Sequence, residues 1–378
     1  MHVKVRETYS TQNRLSVVRR VLAIVVAVAL FLLAIRLLGY SFSGLREHIG
    51  ASILSVAANP FIGLFIGLLL TAVIQSSSTS TSMIVALVGS GALSLPTAVP
   101  IVMGANVGTT LTSTVVSLGF IMSKREFRKA ISAAIVHDFY NIILVVILFP
   151  LEYHYHWLSR LSNVLVASFA DGWRHTVTGS LVSLPEFPDR IGQWIAQQID
   201  SDWLLFVLAF ALLFVTIKLI SQMVSRLLTG TSQQLVKNHI FQIAYQSFAW
   251  GGVLTAAMQS SSITTSLIVP LVAKGKVSLQ KAFPFVMGAN MGTTLTALLA
   301  ALFASKAAVE LAVVHFLFNL FGALLFLPYP PLRQWPGQLA ASFGKLTLQH
   351  RIYGFIYILL LFFVIPFLLI YLYRQGVL

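Results

Sequence analysis

One stretch of this chain occurs twice. Residues 71–118 open TAVIQSSSTSTS, and residues 255–302 open TAAMQSSSITTS. Laid over each other at a constant offset of 184 with no gap, they are identical at 28 of 48 positions. Each copy carries Gln-Ser-Ser-Ser and, further on, Gly-Ala-Asn-x-Gly-Thr-Thr-Leu-Thr. The echo continues at a changed offset, with His137 and Asn141 recurring as His315 and Asn319. A repeat this long makes the chain two related halves, and every other feature is read against that division.

The medium comes from composition. The 378 residues are 57% hydrophobic and 10% charged, with mean hydropathy +0.86, the balance of a polytopic membrane protein. The net charge of +14 sits mostly in short connections between apolar runs. That is the positive-inside pattern rather than a nucleic-acid surface, and no nucleic-acid motif is present. With no cysteine, disulfides, thiolate metal sites and cysteine nucleophiles are excluded.

In chain order, a cationic arm over 1–20 precedes an apolar run over 21–38. The run has no small-x-small cleavage site, so it is expected as a retained first helix with a cytoplasmic N-terminus. An outer connection ends at 59. The helical pattern over 61–74 covers about 21 Å, short of the ~30 Å hydrocarbon core. It stops at Gln75-Ser76-Ser77-Ser78, restarts over 79–88 and turns at 89–91, which predicts a re-entrant hairpin. Residues 96–122 are expected to cross with an interruption at 104–108. Lys124, Arg125, Arg128 and Lys129 then mark an inside loop, and 130–150 crosses outward.

An extracytoplasmic loop over 151–202 separates the halves. A linking helix and cytoplasmic loop fill 203–240, so the second repeat, 241–328, starts from the opposite side to the first, 60–150. The return loops agree: Lys274, Lys276 and Lys281 surround the second, and 89–95 carry no charge. A second interruption is expected at 288–292. Residues 329–378 complete the chain with a cytoplasmic segment and a last helix over 352–373 that leaves the C-terminus outside. The expected fold is an all-α polytopic membrane protein of two inverted-topology repeats. Each is a re-entrant helical hairpin (QSSS) plus a broken transmembrane helix (GANxGTT).

The repeated motifs carry the chemistry. Serines compete for backbone hydrogen bonds, so Gln-Ser-Ser-Ser is a poor helix centre, and a helix broken at membrane depth must line a cavity or be buried in protein. There the freed N–H groups suit an anion and the freed carbonyls a small cation. Ser76, Ser77, Ser78, Ser260, Ser261 and Ser262 add hydroxyls, and Gln75 and Gln259 add amides. Packing alone can account for one serine triplet, but two copies, each ending a half-length helix, favour a site. Gly104, Gly108, Gly288 and Gly292 permit an unwound turn, with close helix packing as the alternative. Asn106, Thr109, Thr110, Asn290, Thr293 and Thr294 supply neutral oxygens. His137 and Asn141 share a helix face, as do His315 and Asn319, and interhelical hydrogen bonding suits them better than a metal. Asp138 is an acid inside a predicted span whose repeat mate is Phe316, which makes it a candidate cation ligand.

The paired Gln-Ser-Ser-Ser hairpins, the Gly-Ala-Asn-x-Gly-Thr-Thr segments and His137-Asp138-Phe139-Tyr140-Asn141 resemble type II sodium-dependent phosphate cotransporters over roughly residues 20–373. The resemblance implies phosphate among Gln75, Ser76, Ser77, Ser78, Gln259, Ser260, Ser261, Ser262, Asn106 and Asn290. It implies sodium among Ser76, Thr79, Thr109, Thr110, Asp138, Asn141, Gln259, Ser260, Thr293 and Thr294. It also implies that Asp138 serves an additional sodium ion and charge-carrying transport. Animal members have a cysteine-bearing glycosylated loop and a further C-terminal helix, so the resemblance is to a bacterial-type member in the inner membrane.

The expected function is sodium-coupled symport of inorganic phosphate by alternating access, with Na⁺ as coupling ion and no other cofactor. The partners are phosphate, sodium and the bilayer, with no nucleic acid, and a homodimer is left open. The spans 60–122 and 241–303 contain no arginine, so a dry phosphate must be neutralised by half-helix amides, hydroxyls and co-bound sodium. An exchanger or channel for another oxyanion is the runner-up. An intramembrane serine hydrolase is disfavoured, because no Gly-x-Ser-x-Gly elbow is present.

Overall fold

The computed structural model describes residues 59–89, 91–177, 187–228, 240–301 and 305–376, with scattered positions between 23 and 41 that are helical. The expected arm over 1–20, most of the outer connection before 59 and most of the cytoplasmic loop before 240 lie outside the described residues. Among the described residues there is no strand. Five helices are long and apolar enough to cross a membrane.

The first half begins with α1 (Pro60–Ile74) and α2 (Ser77–Gly89). Asn59 caps α1, its Oδ1 accepting from Phe61 N at 2.9 Å, and Pro60 fills the first helical position, where no N–H is needed. Next come α3 (Leu95–Gly108), α4 (Leu111–Leu118) and α5 (Lys124–Tyr155). Ser123 caps α5 by accepting from Glu126 N at 3.4 Å.

In the second half α9 (Ala244–Met258) plays the part of α1, and α10 (Ser261–Ser266) with α11 (Ile268–Ala273) the part of α2. α12 (Leu279–Ala301) and α13 (Lys306–Phe326) follow. Between the halves lie α6 (Trp157–Val177), α7 (Phe187–Gln198) and α8 (Asp202–Leu228). At the end lie α14 (Pro330–Gln349), α15 (Ile352–Leu359), a π-helical turn over Leu360–Val364 and α16 (Ile365–Arg374).

Glycine sets the packing within each half. A Cβ added at Gly67 would overlap the carbonyl of Ile101, and one at Gly104 the carbonyl of Leu64. The matching pairs Gly251 with Phe285 and Gly288 with Phe248 repeat the arrangement. α1 therefore lies backbone to backbone on α3, and α9 on α12. The other arm of each hairpin crosses to the opposite half: α2 packs on α12 and α13, and α11 on α5. The two halves thus share one apolar core that includes Met83, Val102, Tyr140, Met287 and Phe318.

Three expectations change. Neither glycine segment is unwound at its glycines. α12 runs unbroken through 288–292, and in the first half the helix gives way only after Gly108, at Thr109 and Thr110. These glycines serve helix contact, the alternative that the sequence left standing. The 151–202 connection is largely helical rather than a loop. Buried Glu152 turns α5 into α6, its carboxylate accepting from Leu158 N at 2.8 Å and also from the Ser159 hydroxyl. The 329–351 segment is the helix α14, lying along α5. The closing apolar stretch over 352–374 has mean hydropathy 2.9 but only 17% of its window buried, which leaves an outward face suited to lipid.

Candidate functional site

Each hairpin breaks at its glutamine. Gln75 ends α1 at φ 55° and Gln259 ends α9 at φ 49°, both in the left-handed region. Only His156 among the other described non-glycine residues has positive φ. Such a conformation costs about 1–3 kcal/mol and persists where the surroundings impose it, commonly at functional sites. The first serine of each triplet then restarts the helix. Ser76 Oγ accepts from Thr79 N at 3.3 Å, and Ser260 Oγ from Ile263 N at 3.4 Å. Ser76 and Ser260 are thus N-caps, a role as legible in their position as the ligand role expected of them. The Thr79 hydroxyl is drawn into the same cap, 2.8 Å from Ser76 Oγ.

The second serines meet. Ser77 Oγ lies 3.3 Å from Ser261 Oγ, with both residues buried. The Ser78 hydroxyl donates to the Gln259 carbonyl at 3.0 Å. One turn deeper, Ser113 Oγ and Thr265 Oγ1 are 2.8 Å apart. The N-termini of α2 and of the helical run Ser261–Ala273 therefore converge across the two halves. The uncapped N–H groups at these two helix starts lie close to the serine pair, a setting for negative charge. Ser262 is buried, and so is Gln259, but Gln75 is exposed.

The four threonines after the glycine motifs bond to their own helices. Thr109 donates to the Ala105 carbonyl, Thr110 to Val107, Thr293 to Asn290 and Thr294 to Met291, at 2.6–2.8 Å. With the proton committed backward, each hydroxyl oxygen keeps lone pairs for a cation.

A separate buried cluster ties the halves together. His137 Nε2 is 3.1 Å from Asn290 Oδ1, and His315 Nε2 is 3.2 Å from Asn106 Oδ1. Asn290 Nδ2 donates to Asn141 Oδ1 at 2.9 Å and to Asn319 Oδ1 at 2.5 Å. Asn141 Nδ2 donates to the Asn106 carbonyl at 2.8 Å. Both donors and the acceptor of Asn290 are thus engaged, and Asn106 and Asn141 are held in the same net. The structure brings these three into a framework rather than onto the serine pair.

Asp138 is fully buried on α5. The Tyr357 hydroxyl donates to its Oδ2 at 2.8 Å, and Oδ1 receives no hydrogen bond. Thr110 and Thr114 stand beside the carboxyl, and both hydroxyls donate to their own helix, to Val107 and Thr110 carbonyls. Tyr357 was not foreseen: nothing in the sequence sets it apart from Tyr353, Tyr371 and Tyr373 in the same apolar stretch.

Buried polar atoms without a partner recur in matched pairs. They are Thr71 and Thr255 Oγ1, Ser82 and Ser266 Oγ, Thr112 and Thr296 Oγ1, and His137 and His315 Nδ1. Each such group costs about 1–3 kcal/mol unless something completes it. Thr71 and Thr255 each sit one turn before a glutamine break, so two of these pairs' members border the serine site.

Comparison with known proteins agrees with this two-fold layout. The model of the Na+/Pi-cotransporter family matches residues 30–167 and again residues 212–349. The human sodium-dependent phosphate transport protein 2B is 29% identical over 405 residues, covering 82% of this chain and 59% of its own. The sheep sodium-dependent phosphate transport protein 2A is 31% identical over 388 residues, covering 82% and 61%. The rat 2A protein is 31% identical over 386 residues, covering 82% and 60%. The chain thus spans about three fifths of the length of these curated relatives. No solved structure matches it.

Proposed function

This chain belongs to the Na+/Pi-cotransporter family, and on that premise we propose that it imports inorganic phosphate coupled to sodium, by alternating access. The observation that carries the reading is the 3.3 Å meeting of Ser77 and Ser261 at two converging helix N-termini. The oxygens of a phosphate placed there take hydrogen bonds from the hydroxyls of Ser77, Ser261 and Ser262, and from that of Ser78 once it leaves the Gln259 carbonyl. The Gln75 and Gln259 amides and the first free N–H groups of both helices add to these. Ser76 and Ser260 hold the helix starts. The Asn106, Asn290 and Asn141 framework fixes the distance between the halves.

Sodium supplies the positive charge that the site lacks, since the lysines of the spans 60–122 and 241–303, Lys274, Lys276 and Lys281, lie around the return loop. Asp138, with its unmatched oxygen and the hydroxyl oxygens of Thr110 and Thr114, suits one ion, and Thr109, Thr293 and Thr294 offer neutral oxygens for others. A divalent anion without such compensation is too costly to hold in a dry site, so coupling follows from the chemistry of the site. α1 and α2, of 15 and 13 residues, are each too short to cross ~30 Å of hydrocarbon. Together with the Lys274–Lys276 return loop they support two re-entrant hairpins inserted from opposite sides. Against a serine hydrolase, neither of the buried histidines, His137 and His315, is hydrogen-bonded to a serine.

Phosphate uptake into proteoliposomes tests the activity: radioactive phosphate should accumulate with an inward sodium gradient and not with choline. Equal uptake in both would end the proposal. For the topology, Ala92→Cys and Lys276→Cys in this cysteine-free chain should react with membrane-impermeant maleimide from opposite sides. Labelling of both from one side would refute the inversion.

A further inference from the structure

A pocket of about 440 Å³ opens where the start of α5, the loop leading into α12 and the far end of α14 meet. Arg128, Lys129 and Lys345 give its wall three cations, and Ser132, Ser278 and Gln280 give neutral polar groups. No acidic residue lines it. The nearby carboxylate of Glu126 already accepts from Lys274, with both oxygens at 2.9 Å. Among the described residues, none of the three cations is in an ion pair.

The packing enforces this convergence. A Cβ at Gly344 would meet the Ser132 hydroxyl and, at 2.8 Å, the Arg128 carbonyl, so only glycine lets α14 approach this close. The contact holds Lys345, one residue on, over the turn that carries Arg128 and Lys129. On the opposite wall Gly275 turns at φ 71°, and a Cβ there would be 3.2 Å from Lys129 Nζ. The first N–H groups of α12, which have no acceptor within the helix, belong to the same wall through Leu279 and Gln280. A positive-inside bias explains cations on this side of the membrane. It does not explain why three share one concavity, where they repel one another.

We propose that this pocket binds a phosphate group, carried either by a free phosphoanion or by a lipid headgroup. The guanidinium fork of Arg128 matches two tetrahedral oxygens, and the lysines supply point charges around the rest. None of these residues belongs to the serine pair or the Asp138 site, so the inference stands apart from the transport reading.

The full chain, purified in neutral detergent in sodium-free choline buffer, is titrated calorimetrically with pyrophosphate. Native mass spectrometry reads its retention of phosphatidylglycerol against phosphatidylcholine. Lys129→Gln and Lys345→Gln, both at exposed positions, should each weaken one of the two ligands about threefold. The triple variant that adds Arg128→Gln should weaken it at least about tenfold. Weakened pyrophosphate binding assigns the site to a soluble anion. Lost phosphatidylglycerol retention with pyrophosphate unaffected assigns it to a headgroup. Pyrophosphate affinity and lipid retention equal to wild type in both single variants would overturn the proposal, whether or not the triple variant folds.

Discussion

Asp138→Asn keeps the side chain's size and removes its charge. Around the carboxylate the structure provides one donor, the Tyr357 hydroxyl at 2.8 Å from Oδ2, and leaves Oδ1 with none. Two threonine hydroxyls stand beside it with their protons already committed to backbone carbonyls. That is a surplus of oxygen lone pairs, the donor set of a small hard cation. Removing one partner of a buried charge pair costs about 3–5 kcal/mol, which lowers sodium affinity by roughly two to four orders of magnitude. The ion then drops out of the cycle, and each phosphate moves with one fewer positive charge. An elementary charge crossing the membrane is worth about 2.3 kcal/mol per 100 mV, so the loss is measurable. Phosphate uptake at potassium–valinomycin potentials should show a flatter voltage dependence and a lower sodium Hill slope in Asp138→Asn. If both match wild type, the sodium role is wrong and Asp138 is an acid anchored by Tyr357. In that case Asp138→Asn and Tyr357→Phe should lower the apparent Tm and leave coupling alone.

Ser77→Ala or Ser261→Ala removes a hydroxyl from the meeting point of the two halves. A lost bond to a charged ligand is worth about 1.5–3 kcal/mol, so the phosphate concentration for half-maximal uptake should rise roughly ten- to a hundredfold; an unchanged value removes these serines from the ligand set. Gly67→Ala or Gly251→Ala drives a methyl group into a facing carbonyl and should cost about 1–3 kcal/mol, read as a lower apparent Tm. A Tm equal to wild type would mean that the helices separate without penalty. Asn290→Ala strips partners from His137, Asn141 and Asn319 together, at about 1–3 kcal/mol for each buried group left unpaired. Its loss should therefore appear first in stability, and a folded variant with only its phosphate affinity reduced would return Asn290 to the ligand set.

The two halves, five of the spans and the breaks at Gln75 and Gln259 were legible because their causes show in the sequence itself. Apolar length and serine's competition for backbone groups lie within a few dozen residues, and the duplicated register shows at a fixed offset of 184. The glycine motifs misled for an equally physical reason. A turn that needs conformational freedom and a helix crossing that needs no side chain both select glycine, and only the partner helix tells them apart. At Gly104 and Gly288 the partner is a backbone carbonyl, and the helix stays intact. Residues 151–202 looked like a loop because charges of both signs, Trp, Pro and Gly are scattered through them, yet buried Glu152 and the bond from Asn163 to Glu310 at 3.0 Å fix this region to the core. Contacts such as Tyr357 with Asp138 or Ser113 with Thr265 join residues far apart in the chain. No pattern in one sequence encodes such a pairing.

Where the halves agree and where they differ divides the proposed chemistry. The serine meeting point and four pairs of partnerless buried polar atoms have counterparts in both halves. A tetrahedral anion at such a place sees similar donors from either half, so rocking one half against the other need not change what holds it. Of three departures from symmetry, one touches this place and two lie away from it. Asp138 answers to Phe316, the helix gives way at Thr109 and Thr110 while its counterpart runs on, and Gln75 is exposed while Gln259 is buried. Two of these three lie within reach of one carboxylate, with Thr110 beside Asp138. The added negative charge and the locally opened helix thus fall in the same half, where an extra cation can be bound without disturbing the shared anion site. On the proposed reading, phosphate recognition belongs to what the two copies share, and the extra coupled charge to what one copy alone carries.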